Sequence, residues 1–219
     1  MSDQKEMSDQ KEKMRQELDR IFDGFPSIHT ADIPGIDLYM DQVTTFLQDN
    51  LRGLSRDPDG DKFLTKTMIN NYVKNKVLFP PVKKKYSRDH MMLLLMIYYM
   101  KSFLSIGDIR TIISPIMDHY AGPPAESSAR KKDTGDKKSQ PRNLRIRDIY
   151  EEVISEVERE LPSIRDDIAE QIDLSSDMFA DVPDEEKKEL QRFSLICKLS
   201  AEVYMRKLFI EKLLDASID

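Results

Sequence analysis

The sequence is poor in residues that build metal sites or covalent cross-links. Its 219 residues include no tryptophan, one cysteine and three histidines. The single cysteine, Cys197, excludes an internal disulfide and a zinc site made of several thiolates, and its apolar helical neighbours predict a buried thiol. His29, His90 and His119 are far apart and show no metal-ligand spacing. We therefore expect neither a metal ion nor another cofactor.

The sequence also lacks a long hydrophobic run. Its longest apolar stretch, Met91–Met100, is about half as long as a membrane-spanning helix needs to be. The N-terminal residues are charged where a signal peptide would be apolar. A content of 39% hydrophobic and 34% charged residues is typical of soluble domains. We expect a cytoplasmic protein without a membrane segment.

No familiar catalytic motif is present. The sequence has no glycine-rich phosphate loop, no GxSxG nucleophile turn and no HExxH zinc motif. The carboxylates of the C-terminal half fall on the polar faces of amphipathic helices, where surface charge is the ordinary explanation. The sequence therefore predicts a protein that is not an enzyme.

What the chain does contain is a basic island in an acidic protein. The formal net charge of the whole chain is −6. Between Lys62 and Arg110, however, ten basic residues stand against only Asp89 and Asp108, a net charge of +8. This concentration of positive charge favours a polyanionic partner. The alternative is that the lysine-rich turn is an ordinary solvated surface loop.

Residues 63–113 predict a compact helical arrangement. Thr65 is placed to cap a helix that must end before Pro80, because proline lacks the amide donor that a helix requires. A basic turn follows, and Ser87 is placed to cap a second helix. Over Met91–Met100 this second helix is apolar on nearly all sides, which predicts the buried centre of a domain. We expect a mainly all-α fold.

The order of these features resembles the winged helix-turn-helix of MerR-type transcription regulators. In that pattern a helix ends in an aliphatic turn and a proline, a basic residue stands two positions before a tyrosine, and a later helix opens with a short phrase, here SIGDI. The matching residues are Tyr72 in the helix, Val77, Leu78 and Pro80 in the turn, Lys84 and Tyr86 in the wing, and Ser105, Ile106, Asp108 and Ile109 in the phrase. The resemblance implies a MerR-like winged helix-turn-helix with a short basic wing, followed by a C-terminal helical region.

A longer string, LTKTMINNYVKNKVLFPPVKKKYSRDH, is similar to a bacterial domain-of-unknown-function family, number eighteen thirty-six, which is itself similar to MerR-like domains. This resemblance covers roughly residues 36–116. Two positions depart from the MerR pattern: Asn70 stands where an arginine usually grips phosphate, and Asn71 replaces a tyrosine. The wing is also abbreviated. MerR-style distortion of the operator is therefore not implied.

The resemblance implies a DNA-binding transcription regulator, with repression as the favoured mode and double-stranded DNA as the partner. In this interpretation the helix after Thr65 enters the major groove, its asparagines read adenine edges, and the wing lies on the backbone. The predicted DNA-binding residues are Lys66, Thr67, Asn70, Asn71, Lys74, Lys83, Lys84, Lys85, Tyr86 and Arg88. The alternative is an adaptor module whose basic face binds an acidic protein. No sensor motif identifies a small-molecule effector.

Composition divides the chain into four segments. We expect a flexible or short helical N-terminal tail over residues 1–30 and the helix-turn-helix domain over residues 31–120. Residues 121–143 are small, polar and charged, which predicts a flexible linker. Residues 144–219 have helical apolar periodicity, with one helix ending before Pro162 and a last helix from after Pro183 to about Leu214.

The last helix is the predicted dimerisation element. Its apolar positions cover more than the one stripe that packing within a chain consumes, so the remainder needs a partner. A homodimer supplies that partner, and helix-turn-helix regulators commonly bind paired half-sites as dimers. The residues that we expect at this interface are Phe193, Cys197, Tyr204 and Leu208.

Overall fold

The computed structural model describes residues 2–56, 63–121 and 144–216. Across these ranges the chain is mainly helical, as predicted, with seven α-helices and two very short strands. They are α1 (Ser2–Asp23), β1 (Leu38–Tyr39), α2 (Met40–Leu51), α3 (Lys66–Lys74), β2 (Lys85–Tyr86), α4 (Arg88–Met100), α5 (Ile106–Tyr120), α6 (Ile146–Ser176) and α7 (Asp184–Ala216).

Apart from Ala121, the predicted linker of residues 121–143 lies outside the described residues. Within the described ranges, none of the helices has the length and hydrophobicity needed to cross a membrane.

The chain divides into two compact units. The first, which we call the terminal unit, comprises Met1–Ser27, Arg52–Asp59 and Glu156–Asp219. The second, the helix-hairpin unit, comprises Ile28–Leu51 and Gly60–Ser155. Helix α6 contributes its first part to the helix-hairpin unit and its remainder to the terminal unit.

Helix α4 forms the core of the helix-hairpin unit, as its composition predicts. Ser87 is its N-cap, and the side chains that follow are buried on all sides of the helix. Helix α4 contacts β2 and α5, and α5 adds two further buried isoleucines. Helices α2 and α3 contact each other, and each buries one apolar face. The buried side chains are Val43, Leu47 and Leu51 in α2, Ile69 and Tyr72 in α3, Met91–Leu95 and Ile97 in α4, and Ile109 and Ile113 in α5.

The helix-hairpin unit extends beyond the predicted boundaries of residues 31 and 120. The hydroxyl of Tyr150 in α6 donates a hydrogen bond to the Ile28 carbonyl at 2.6 Å. The neighbouring Glu151 carboxylate accepts from the Thr30 amide at 2.9 Å and lies 2.7 Å from Nδ1 of His29. The amide hydrogen bond, assisted by the histidine, lowers the pKa of Glu151. These contacts place the end of the predicted tail and the start of the predicted C-terminal region in the helix-hairpin unit.

The N-terminal segment is a long packed helix and not the short or flexible tail that we expected. Helix α1 spans 22 residues. Leu18 is buried in a cluster with Ile172 of α6 and Leu195 of α7. Arg15 adds a two-pronged contact to Asp173, with Nη2 at 2.7 and 2.6 Å from the two carboxylate oxygens. The prediction failed because the apolar stripe of α1 is sparse and depends on partners that are distant in sequence.

Helix α6 continues past Pro162, where we expected it to end. Proline removes one backbone hydrogen bond and usually breaks a helix. Here Pro162 lies on the exposed side of a 31-residue helix, where water can satisfy the carbonyl that loses its partner. The last helix, by contrast, begins after Pro183 and ends close to the predicted Leu214.

Candidate nucleic-acid interface

Helix α3 presents a polar, positively charged face to solvent. The Thr65 hydroxyl accepts a hydrogen bond from the Met68 amide at 3.1 Å, which confirms the predicted N-cap. Ile69 and Tyr72 are buried and fix which side of the helix faces the core. The predicted recognition residues therefore share the exposed side, namely Lys66, Thr67, Asn70, Asn71 and Lys74.

The end of α3 adds an exposed lysine that the sequence analysis did not single out. The amide of Lys76 donates to the Val73 carbonyl at 3.1 Å, and that of Val77 donates to the Tyr72 carbonyl at 2.8 Å. This is the Schellman arrangement, in which the residue at the position of Lys76 is left-handed and is usually glycine. Lys76 has a φ of 59° and is exposed. The only indication of this exposed position in the sequence was a lysine that stands between the end of the helix and the apolar Val77.

The predicted basic turn is a two-residue hairpin. Val82 and Lys85 are paired, with the Lys85 amide donating to the Val82 carbonyl at 2.9 Å and the reverse bond at 3.1 Å. Lys83 and Lys84, between them, have φ values of 50° and 63°. Positive φ at both central residues defines the type I′ turn, for which Asn-Gly is strongly favoured. Two exposed lysines occupy it instead, each at a cost of roughly 1–2 kcal/mol.

The strand that leaves this hairpin buries one predicted DNA-binding residue. In the antiparallel pair β1–β2, Leu38 lies opposite Tyr86, and both side chains point inward. The Tyr86 ring is only 3% exposed and packs edge-on against His90, with ring centroids 5.3 Å apart. Burial also raises the pKa of Tyr86. The prediction that Tyr86 contacts DNA is wrong, because the strand register turns this side chain into the core.

Arg88, another of the predicted DNA-binding residues, is bound to the protein's own backbone. Its Nη2 donates to the backbone carbonyl of Ile33 at 2.9 Å and to that of Thr30. Its Nε is buried and has no hydrogen-bond partner among the described residues. A guanidinium engaged in this way fixes the Thr30–Ile33 segment to the start of α4. Arg88, which we predicted to bind DNA, is therefore a structural clamp.

His90 supports the hairpin from below, a role that sequence reasoning missed. Its Nδ1 accepts from the Ser87 amide at 2.9 Å and lies 2.8 Å from the Ser87 hydroxyl, in a capping box at the start of α4. The ring lies 3.8 Å from the Phe79 ring, between centroids. Burial lowers the pKa of His90 to about 4, so the imidazole is neutral at pH 7. The sequence feature that could have predicted this role is a histidine three residues after a capping serine, the spacing of a capping box.

Two lysines of the predicted interface meet the same short stretch of chain. Lys66, at the start of α3, forms an ion pair with Asp41, at the start of α2. Lys85 of β2 lies with its Nζ 5.2 Å from the ring centroid of Tyr39 in β1. Since Tyr39 and Asp41 are two residues apart, the start of α3 and the hairpin both reach this β1–α2 junction. The structure thus brings these two parts of the predicted site together.

The two asparagines of α3 differ in what they can offer a ligand. The side-chain amide of Asn75 donates to both the backbone carbonyl and Oδ1 of Asn71, each at 2.8 Å. The Asn71 oxygen is therefore already engaged within the helix. Asn70 is exposed, and its amide group makes no such contact in the described part of the chain. Of the pair, Asn70 retains both a donor and an acceptor for a base edge.

The terminal unit carries a different exposed surface on α7. Leu195 packs inward, whereas Cys197 lies about 200° further around the helix. Cys197 is exposed, so the predicted buried thiol is wrong, because the sequence shows apolar neighbours but not which of them face a partner helix. Leu208 is half-buried. The exposed side chains on this side, which we call the outer α7 face, are Phe193, Ile196, Cys197, Val203 and Tyr204, with Phe193 65% and Tyr204 61% exposed.

Two other kinds of site, a metal site and a ligand-binding cleft, have weaker support in the structure. Among the described residues, no group of three or more histidine, cysteine, aspartate or glutamate side chains is placed to hold a metal ion. A cleft of about 680 Å³ lies beside the hairpin and is lined by Phe79, Val82, Lys85, His90 and Met117 among others. Its charged walls include Asp37, Asp89 and Asp118 alongside Lys85 and Arg88, so no single ligand charge is favoured.

The comparison with protein families agrees with the N-terminal boundary of the helix-hairpin unit. No curated protein and no solved structure matches the chain. A family model matches residues 28–130, and its first residue is also the first residue of the helix-hairpin unit. The description of that family is "Domain of unknown function (DUF1836)", and residues 28–130 are similar to it.

Proposed function

We propose that this protein is a DNA-binding transcription regulator whose helix-hairpin unit binds double-stranded DNA in the manner of a MerR-like winged helix-turn-helix. Helix α3 enters the major groove, and the hairpin that contains Lys83 and Lys84 contacts the phosphate backbone. The observation that carries the proposal is the conformation of three exposed lysines, Lys76, Lys83 and Lys84.

These three lysines occupy backbone positions that favour other residues. Among the described residues only four non-glycine residues have a positive φ, and three of them are Lys76, Lys83 and Lys84. Each would fold at lower cost as glycine or asparagine. A surface loop that is merely solvated gains nothing from this arrangement. A surface that binds phosphates gains three cationic side chains beside the polar face of α3.

The asparagines of α3 support reading of sequence as well as binding of backbone. An exposed amide can donate to and accept from the edge of adenine, and lysine can contact guanine or phosphate. Asn70 is the adenine reader in this proposal, since the Asn71 oxygen is engaged by Asn75. Occupancy of a promoter blocks transcription without any further interaction. Repression is therefore the mode that we propose, in the cytoplasm, where the DNA of a bacterial cell lies.

The arrangement departs from a compact helix-turn-helix in one respect. The connection between α2 and α3 covers residues 52–65, whereas the turn in a helix-turn-helix has about three to four residues. We therefore propose for this chain only two features of MerR-type DNA binding, the helix in the major groove and the hairpin on the backbone. The distortion of the operator by MerR regulators is not part of the proposal.

We propose further that two copies pair through the outer α7 face. Phe193 and Tyr204 are each more than half exposed, and Ile196 and Val203 extend the same side of the helix. An apolar surface of this kind favours association in water. A symmetric pair would present two copies of α3 to two half-sites, which supplies the length of sequence that one helix cannot read alone.

The test is binding of a labelled mixed-sequence duplex across a salt series, in competition with genomic fragments. The parent protein should bind, and a few fragments only should compete. Replacing Lys83, Lys84 and Lys85 by Ala should make the logarithmic salt slope shallower by about 0.9 for each phosphate that the variant no longer neutralises. The matched control removes three exposed lysines of the terminal unit, Lys13→Ala, Lys198→Ala and Lys212→Ala.

Two results would contradict the proposal. An unchanged salt slope in the hairpin variant would mean that these lysines are ordinary solvated side chains. Absence of DNA binding, together with retention of an acidic protein on the same lysines, would show instead the adaptor function that the sequence left open.

A further inference from the structure

The hairpin carries apolar side chains that phosphate binding does not explain. Val82 is 70% exposed and Tyr39 of β1 is 54% exposed, although both lie in the hydrogen-bonded part of the hairpin region. Single exposed apolar residues are common on proteins. Here, however, the two are related by the strand register, which places them on either side of the same lysine.

The register defines a row of three side chains. Tyr39 pairs with Lys85 across β1 and β2, and Val82 pairs with Lys85 across the hairpin. Residues directly opposite one another in a sheet project from the same face. The next pair, Leu38 and Tyr86, projects from the other face and is buried. Tyr39, Lys85 and Val82 therefore form one outward row across the small sheet.

Lys85 links the two apolar members of this row. Its Nζ lies 5.2 Å from the centroid of the Tyr39 ring, within the range of a cation–π contact. The contact attracts the ammonium group to the face of the ring. Lys83 and Lys84 follow Val82 directly at the tip of the hairpin. The surface therefore alternates cationic and apolar groups over a short distance.

We propose that the outward row of Tyr39, Lys85 and Val82 binds the sugar–phosphate backbone of DNA, with the two apolar side chains against deoxyribose and the hairpin lysines on the flanking phosphates. This inference rests on the proposed function and names the part of the DNA that the row contacts. A DNA strand alternates anionic phosphates with deoxyribose groups whose C–H faces are apolar. An acidic peptide has no such regular alternation.

The proposal separates apolar from ionic contacts in a way that can be measured. Tyr39→Ala should weaken binding of a mixed-sequence duplex by about fivefold to tenfold, because the half-exposed aromatic ring that packs against deoxyribose is removed. The salt slope should stay that of the parent protein, because Lys85 keeps its charge and the same number of phosphates is neutralised. Tyr39→Phe should restore affinity, since the ring remains.

Val82→Ser provides an independent variant at the other end of the row, and about a threefold weakening with an unchanged slope is expected. The matched control is Val153→Ser, which alters a similarly apolar, exposed residue on α6 of the same unit. Lys83→Ala with Lys84→Ala is the contrasting variant, in which the slope itself becomes shallower.

The outcomes distinguish the inference from the function on which it rests. If the parent protein does not bind DNA, both are wrong. If the parent binds and the Tyr39→Ala and Val82→Ser variants bind equally well, the row does not touch DNA and the inference alone fails. The inference also fails if Tyr39→Phe is as weak as Tyr39→Ala, since the ring would then not be the group that meets the DNA. A Tyr39→Ala protein that does not fold leaves Val82→Ser to decide.

Discussion

The two units expose opposite kinds of surface. In the helix-hairpin unit, α3 exposes lysines and amides and buries Ile69 and Tyr72, and the tip of the hairpin exposes two lysines. In the terminal unit, α7 buries Leu195 and exposes Phe193 and Tyr204 on its other side. Exposed cations at strained backbone positions suit a polyanion, and an exposed apolar face suits another protein surface. We therefore propose different partners for the two surfaces.

The support beneath the two surfaces differs as well. The hairpin rests on a helix that is buried nearly all round and on the neutral imidazole of His90. The helices of the terminal unit share a smaller cluster around Leu18 and are joined at their edges by ion pairs such as Arg165 with Asp19. A large core can tolerate strained turns above it. A small core leaves apolar surface uncovered, which assembly can then bury.

The largest expected effect is on the outer α7 face. Phe193→Glu places a charge on each copy, and burial of an aromatic side chain contributes about 1.5–3 kcal/mol, so a symmetric pair should lose roughly 3–6 kcal/mol of association free energy. Sedimentation should show about twice the 25.5 kDa chain mass for the parent protein and the single-chain mass for the variant.

Ile21→Glu is the control for this experiment, because Ile21 is a comparably exposed apolar residue on α1 of the same unit. It should leave the mass unchanged. A monomeric parent protein at tens of micromolar, or equal dissociation of both variants, would show that the outer α7 face is not the interface.

The next effect concerns the support beneath the hairpin. The pKa of His90 is lowered by burial from 6.5 to about 4, so the unfolded chain binds a proton before the folded protein does. The contribution of His90 to stability is complete above pH 6.5 and is lost as the pH falls towards 4, by about 3 kcal/mol in all. His90→Gln keeps an acceptor for the Ser87 amide but cannot titrate.

Urea unfolding of the two proteins at pH 7 and pH 4.5 measures this difference. The free energy of unfolding should fall less on acidification in the His90→Gln variant than in the parent protein. His119→Gln, at an exposed histidine, serves as the control and should follow the parent. Identical acid dependence of His90→Gln and the parent would show that His90 does not resist protonation in the folded state.

A smaller effect separates the two asparagines of α3. Asn70→Ala should reduce discrimination against a wrong base by about 1–3 kcal/mol while non-specific binding persists, because Asn70 holds a free donor and acceptor. Asn71→Ala should reduce it less, since the Asn71 oxygen is engaged by Asn75. Selection from a randomised duplex library measures both. Equal loss of specific and non-specific binding in Asn70→Ala would mean that α3 grips backbone only.

The sequence predicted those elements that local signals specify. The helix boundaries were predicted from Thr65, Ser87 and the proline pair. The buried helix was predicted from the apolar run of Met91–Met100. The exposed polar face of α3 followed from helical periodicity. These features depend on residues within one or two turns, so a single sequence contains them.

The sequence did not predict features that depend on distant partners. Tyr86 and Arg88 were predicted to bind DNA because they lie in or beside the wing of the MerR-like pattern. In the structure, strand pairing with Leu38 turns Tyr86 inward, and Arg88 is bound by two backbone carbonyls. Cys197 was assigned to the core because its neighbours are apolar. The left-handed conformation of Lys83 and Lys84 could not be predicted either, because lysine is not one of the residues that favour turns.

The most direct test replaces Lys83 by Asn and Lys84 by Gly, the residues that the type I′ turn favours. If the lysines are retained for phosphate binding at the expense of stability, the variant should unfold at higher urea concentration, with about 1–2 kcal/mol more stability for each position relieved. It should also bind DNA more weakly, with a salt slope shallower by about 0.9 for each phosphate that is no longer neutralised. A variant that is no more stable than the parent protein, or that binds DNA with the parent's affinity and salt slope, would contradict the account.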